Sequence, residues 1–489
     1  MSGNIEIIVG IKLGTNYSTN TYMLKDGKTE GIFTVPFNKH ATSSLSLVTP
    51  TVALFTDKGK FQAFGFEAEY QNFHLGESNT FLLFRDFVWD LLCVSDKVPV
   101  YLKAVNGKEM KSVDVVSAVL AYMDSHIKST LCTNLHEVPI TFKYVLTVPT
   151  CSCDDAKEFI KKAAEKAGVP SDSITIAEEA AAALCFCVQN PLPGLPQPLE
   201  NKEISYIFVE CEDDNTNVSV LKHSNEEISI IYKDSAEVWA SCQVQKDFEE
   251  LFALLVSESF LDYFIHKYPM EYHDILQELK TKMHCTPSDS QKVTIKMPAF
   301  LMEKFKRKTG KSIEKAVQKT IMKGHMEFKL DKCKMAPEIF QSLFTDAAKH
   351  IVNYMKEELL SRFPDAEYII LIGEFAQSPI LQDIIKASFP TKNILIPQEA
   401  RMTAIKGAVC LGQKPVALAT IQCSPRRHLT LVPEEDTESM ANVEQSPRAY
   451  RATRNNVSNL SATNTSFSEL HRVVPPSRRI NRSRLCVIQ

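Results

Sequence analysis

Apolar residues along the chain come in short runs of two periods, separated by clusters of turn-forming residues. Ile5 to Ile11 is apolar throughout except for Glu6, the pattern of a strand covered on both faces, and it runs into Gly14-Thr15-Asn16. A second strand around Tyr22 to Leu24 meets the turn signal Asp26-Gly27, and Ile32 to Val35 is placed to return beside it. Val52 to Phe55 and Phe61 to Phe64, on either side of Asp57 to Gly59, repeat the hairpin logic. The opening is therefore expected to be an antiparallel meander. Tyr144 to Val148 is another apolar strand, ending at Pro149. Ala156, Phe159, Ile160, Ala163, Ala164 and Ala167 then recur at helical spacing. Asp154 and Asp155 stand in the first turn, where carboxylates favour the helix dipole, and Gly168 and Pro170 close the element.

Pro191, Pro193, Pro196 and Pro198 are too dense for a helix or a central strand and predict a crossing between two lobes. Beyond them the pattern predicts a strand at Tyr206 to Val209 and a helical stretch near Asp247 to Tyr263. Further on come a helix over Ile339 to Leu360, a strand at Tyr368 to Ile372, and a closing α/β unit from Pro379 to Ala387 and Ala400 to Leu411. The Lys-rich stretch from Lys304 to Lys334 keeps Ile313, Val317 and Ile321 as an apolar stripe, so it reads first as a solvated helix face; a polyanion site is the alternative. From about Ser424 the composition shifts to Ser, Asn, Thr and Arg, predicting a disordered tail. The expected organisation is a first lobe over 1–190, a crossing over 191–202, a second lobe over 203–372, a return to the first lobe over 373–423, and the tail over 424–489.

A length of 489 residues suits two or more packed lobes. Lys+Arg 55 against Asp+Glu 59 gives a net charge of −4, which argues against a globally basic nucleic-acid binder. The N-terminus shows no secretory pattern, and apolar stretches such as Ala180 to Val188 fall far short of the roughly 20 residues that span a bilayer. A cytoplasmic location is expected. Thirteen cysteines scattered through core-like segments fit reduced thiols, and the pairs Cys151/Cys153 and Cys185/Cys187 lack the spacing and partners of a metal site.

Val9-Gly10-Ile11-Lys12-Leu13-Gly14-Thr15-Asn16-Tyr17-Ser18 resembles the first phosphate-binding hairpin of the 70-kDa heat-shock protein family, Gly-Ile-Asp-Leu-Gly-Thr-Thr-Tyr-Ser. Pro50-Thr51, Phe64 to Ala68, Leu146 to Pro149, Ala177 to Ala182, Ile372 to Pro379, Ile396 to Gln398 and Lys406 to Val409 follow in family order. Together they most resemble the divergent heat shock 70 kDa protein 12 branch, over about residues 5 to 423. The resemblance implies an α/β, actin-like fold: two lobes with ribonuclease-H-like cores flanking a cleft in which ATP lies between facing hairpins. Gly14, Thr15, Asn16, Ser18, Lys12 and Gly373 are then the candidate nucleotide-binding residues.

The same comparison implies lost chemistry. Glycines in a phosphate loop let backbone N–H groups approach the anion. Where the family has Asp-x-Gly-Gly-Gly-Thr, this chain has Glu210-Cys211-Glu212-Asp213-Asp214-Asn215, so three glycines have become three carboxylates. Ser235 to Ala240 replaces another glycine-rich segment, and Glu374 replaces a glycine in the adenosine-side loop. The metal-positioning aspartate is Lys12, and an ammonium cannot hold Mg²⁺. The catalytic lysine has no counterpart, because Phe61 to Asp96 contains Arg85 but no lysine. A carboxylate about 4 Å from a phosphate charge costs roughly 4 kcal/mol at an effective dielectric of 20. Micromolar affinity totals only about 8 kcal/mol, so two such contacts cancel ordinary ATP binding. ATP remains the one candidate cofactor, with Mg²⁺ disfavoured. The facing hairpins also suggest that Lys12 pairs with Glu212, Asp213 or Asp214 in place of a nucleotide.

About 66 residues follow Cys423, too few for the family's peptide-binding sandwich and lid. The chain ends Cys486-Val487-Ile488-Gln489 behind Arg478, Arg479, Arg482 and Arg484, a pattern that invites farnesylation of Cys486 and weak attachment to an anionic membrane. The expected protein is a degenerate nucleotide-binding module, more a pseudo-ATPase scaffold than an enzyme, acting on unknown protein partners and tethered through Cys486 to the cytosolic membrane face. The alternative is an ATP-binding chaperone-like protein with weak or no hydrolysis. Nucleic acid is disfavoured, since no aromatic residues interleave with the basic ones.

Overall fold

The computed structural model describes residues 5–25, 31–39, 44–75, 81–93, 97–132, 140–195, 203–224, 227–236, 240–285, 291–320 and 322–420. Cys486, the Arg-rich tail, the Asp26-Gly27 turn, Glu237 to Trp239 and Ile321 lie outside them.

Two six-stranded sheets organise the protein. In the first, β1 (Ile5–Leu13) pairs antiparallel with β2 (Tyr17–Lys25), which also pairs with the short β3 (Phe33–Thr34) and β4 (Thr49–Pro50). On its other side β1 runs parallel to β5 (Ile140–Val148), and β5 runs parallel to β6 (Ile174–Glu178). Ile7, Ile8, Val9 and Ile11 of β1 are all buried, as an apolar run covered on both faces requires. Helix α1 (Asp154–Lys166) makes the crossover from β5 to β6, and it buries Ala156, Ile160, Ala163 and Ala164 at the expected spacing. The hairpin Ala53–Thr56 with Phe61–Phe64 forms as its sequence predicts.

The second sheet repeats the plan. β7 (Ile204–Cys211), β8 (Thr216–His223) and β9 (Glu227–Ala236) form an antiparallel meander, while β10 (Tyr368–Ile372) lies parallel to β7 and β11 (Asn393–Leu395) parallel to β10. The last strand, β12 (Ala417–Thr420), pairs parallel with β9. Between the sheets, the alanine-rich helix α2 (Glu179–Gln189) packs on α4 (Thr403–Gln413). Ala180 to Cys185 share a core cluster with Phe208, Ile370, Ile405 and Ala408, drawn from both halves. The architecture is α/β and two-lobed, of the actin-like kind.

Three expectations need correction. The stretch near Asp247 to Tyr263 is two helices, Ser241–Val256 and Glu258–Lys267, because Ser257 takes φ +74 and interrupts the hydrogen-bond ladder. Ile339 to Leu360 is not continuous either, but Pro337–Ser342 and Thr345–Tyr354 followed by a π-turn at Met355–Leu359. The Lys-rich stretch is not one helix: Ala299–Thr309 and Ile313–Val317 are short helices, and Met326–Lys329 with Lys332–Met335 is a β-hairpin. Gly310 at φ +72 ends the first of these helices, and Ile313 and Val317 are buried as the apolar stripe requires.

Candidate functional site

The β1–β2 hairpin of the first sheet and the β7–β8 hairpin of the second meet across the cleft. Between them lies a pocket of about 550 Å³, its solvent-open mouth included, lined among others by Lys12, Gly14, Asn16, Glu212, Glu374 and Arg401.

Lys12, one residue from the end of β1, fills the centre. Its Nζ donates to Glu179 Oε2 at 2.7 Å and to Glu212 Oε1 at 3.0 Å, so one ammonium joins the head of α2 to the second-sheet hairpin. Glu212 Oε2 in turn accepts from the backbone N–H of Glu374 at 3.4 Å. Burial works against the charge on Lys12, but the two carboxylates more than offset it and raise its pKa. Burial raises Glu212 against the pull of Lys12. Glu210 is fully buried and rises to about 8, chiefly through desolvation with the charge of Glu179 adding, while Asn217 Nδ2 donates to its Oε2 at 3.3 Å.

The other two acids of the cluster have different partners. Asp213 bonds Lys280 at 3.0 Å and the Ser241 hydroxyl at 2.7 Å; burial alone would raise its pKa, but these donors hold it below the ordinary carboxylate range. Lys280 belongs to α3 (Pro269–Met283) and also lies 5.8 Å from the Tyr17 ring centre. Asp214 is raised to about 6 by burial and by the charge of Asp213, and it is hydrogen-bonded by Asn16 of the opposite hairpin. The expected pairing of Lys12 with this acidic run is thus realised at Glu212, whereas Asp213 and Asp214 are taken by Lys280 and Asn16.

A second bridge crosses the sheets in the opposite sense. Lys233 of β9 donates to Glu178 Oε1, at the end of β6, at 2.8 Å and to the Ser152 carbonyl at 2.9 Å, and Lys157 of α1 joins the same carboxylate at 3.0 Å. At the mouth, Glu374 pairs with Arg401 at 2.6 Å and with His284 at 3.2 Å, and the Arg401 guanidinium lies 4.8 Å from the Tyr17 ring centre. Arg85 pairs with Glu69 at 2.9 Å.

The remaining candidates divide. Thr15 and Asn16 are half-buried at the hairpin tip. Ser18 does not face the pocket: it is fully buried, its hydroxyl 2.8 Å from Thr51 Oγ1, and Thr51 donates to the Gly14 carbonyl. Strand alternation turns Ser18 inward, one position after Tyr17. Gly14 and Gly373 are each required by close backbone approach, since a methyl group on Gly14 would overlap the Tyr17 carbonyl and one on Gly373 the Cys211 carbonyl. Close packing therefore accounts for a glycine at both positions without a bound phosphate.

Sequence reasoning left Glu179, Lys280, Lys233 and Arg401 unassigned. Only Glu179 carried a signal, a carboxylate heading an alanine-rich helix where no solvated face accounts for it. The others reach the cleft through long-range packing that no local motif marks.

These groups do not fit a magnesium triphosphate. The ammonium of Lys12 already serves two carboxylates between the hairpins, and the second hairpin presents carboxylates where an anion needs donors.

No family model matches the chain. It is 23% identical over 440 residues to heat shock 70 kDa protein 12A of Mus musculus, covering 77% of this chain and 65% of that protein, with the same figures for the Homo sapiens protein. Heat shock 70 kDa protein 12B of Homo sapiens is 23% identical over 431 residues, covering 75% of this chain and 62% of that protein. The chain spans less than two thirds of the length of these curated relatives. Set beside the two-sheet fold and the facing hairpins, these similarities relate the chain to the heat shock protein 70 family through its 12A and 12B members.

Proposed function

We propose that this chain is a heat-shock-70-like module whose cleft is closed by its own side chains, a pseudo-ATPase that works as a binding or scaffold protein. The observation that carries the reading is Lys12 bonded to Glu179 and Glu212 at once, the ammonium taking the place a nucleotide's charges would need. Replacement of the family's metal-positioning aspartate by Lys12 and of its loop glycines by Glu212, Asp213 and Asp214 supports the loss of turnover.

The alternative, ATP held with weak or no hydrolysis, is favoured by Arg401 over Tyr17 at the pocket mouth, a cation and a ring that a nucleotide could use. The melting temperature of the purified protein with and without millimolar ATP and Mg²⁺ separates the two, because a ligand bound only by the folded state must raise it. No shift is expected. A clear rise abolished by EDTA would replace the first reading with the second.

A further inference from the structure

Strand register places three lysines of the Lys-rich stretch in one row. Residues 291–336 carry thirteen Lys and Arg against four Asp and Glu, a net of +9 in a chain whose total is −4. Part of that charge is locally engaged: Lys304 and Lys308 lie over the rings of Tyr268 and Tyr263, Arg307 pairs with Glu303, and Lys292 lies 4.0 Å from Glu327. Lys296, Lys332 and Lys329 differ. Strand Val293–Lys296 pairs with Lys332–Met335, which pairs with Met326–Lys329, and the register sets Lys296 opposite Lys332 and Lys332 opposite Lys329. Three exposed lysines thus stand side by side across the sheet on strands about 4.8 Å apart. None has an acidic partner among the described residues. Two residues along, the same face shows Thr294, Lys334 and Glu327, while the opposite face buries Ile295, Cys333 and Met335. Like charges directly opposite on a sheet repel one another, so the row costs stability unless something anionic covers it.

The row ends at an apolar tip. Lys329 and Lys332 flank the two-residue loop Leu330-Asp331; Leu330 is 80% exposed and takes φ +56, a left-handed conformation that glycine or asparagine adopts more readily. The loop is held in place, because the Met297 N–H donates to the Asp331 carbonyl at 2.7 Å.

We infer that this hairpin face docks on an anionic lipid surface, the three lysines meeting phosphate-bearing headgroups and Leu330 entering the interface between headgroups and acyl chains. Charge complementarity selects an anionic partner. The projecting leucine selects a membrane over a soluble polyanion, which offers it no apolar environment. A single-stranded nucleic acid would call for aromatic rings on which bases stack, and the face carries none among the described residues.

Sedimentation of the full chain carrying Cys486→Ser, which removes the candidate farnesylation site, tests it with vesicles of phosphatidylcholine alone and of equal parts phosphatidylcholine and phosphatidylserine. Binding is expected to the mixed vesicles only. Combined Lys296→Gln, Lys329→Gln and Lys332→Gln should weaken it about a hundredfold, the effect of about 1 kcal/mol per lysine at an anionic leaflet. Leu330→Gly should weaken vesicle binding with no fall in melting temperature, since glycine takes that backbone conformation freely. Equal binding to both vesicle types, or full retention in both variants, overturns the inference. So does tighter binding of a single-stranded RNA oligomer that is unaffected by Leu330→Gly, which would make the row a nucleic-acid contact.

Discussion

Gly373 and the Cys211 carbonyl approach so closely that no side chain fits between the turn after β10 and the end of β7. Gly373 also takes φ +98, so two separate constraints hold it as glycine. Gly168 supplies the contrast, with φ +95 and nothing near the position of its missing methyl group. Gly168→Ala should cost about 1–2 kcal/mol from the backbone alone. Gly373→Ala should cost about 2–5 kcal/mol, backbone and overlap together. Urea unfolding of both variants measures the difference, and equal losses would show that the contact with Cys211 relaxes freely.

Removing the ammonium of Lys12 leaves the buried Glu179 and the half-buried Glu212 without a counter-charge. Breaking a buried ion pair from one side typically costs about 3–5 kcal/mol, and Lys12→Met should lose that order of stability. Adding Glu179→Gln and Glu212→Gln should restore most of it, because no uncompensated charge then remains. Denaturant midpoints of the single and triple variants check both halves. An unchanged Lys12→Met midpoint would remove the latch.

Glu210 gives a pH signature with a definite sign. Its pKa in the fold is about 8, above the ordinary glutamate value near 4.5, so the folded state holds the proton more tightly. Its contribution to stability is complete below about pH 4.5 and is lost as pH rises through about 8. Glu210→Gln should flatten the fall in melting temperature across that window and stabilise the protein at pH 8 by at least about 1 kcal/mol. A parallel pH profile in the variant would mean that Glu210 does not drive it.

Asp213 and Lys280 should be coupled energetically across the 67 residues that separate them. A double-mutant cycle with Asp213→Asn and Lys280→Met is expected to return about 1–3 kcal/mol. The pH dependence runs opposite to that of Glu210: the folded pKa of Asp213 is lowered, so its stabilisation is present above the ordinary aspartate range and disappears as pH falls through the folded value. Additive single effects would place Lys280 at the cleft by packing alone.

Elements whose signal is local were legible in the sequence. The apolar run of β1, the helical spacing in α1 and the turn between Ala53–Thr56 and Phe61–Phe64 each need only their own neighbours, and each forms as expected. Facing hairpins were enough to anticipate Lys12 with Glu212. They were not enough to place Glu179 against it, because that contact depends on how α2 seats against the sheet. Ser18 lies in the core beside Thr51 for a reason of parity, one step along a strand exchanging pocket for core. In the Lys-rich stretch, composition announced the charge, but only strand pairing set Lys296, Lys332 and Lys329 abreast.

The bridge at Lys12 differs in kind from one made by a diffusible ligand. Its middle partner is covalently part of the chain, so its effective concentration is fixed by the length and stiffness of the connecting backbone and is the same in every copy of the protein. Opening the cleft becomes a unimolecular event with no exchange step, set by pH, salt and temperature. A lobe-to-lobe contact of this sort is present in every copy as soon as it folds and needs no second molecule to form.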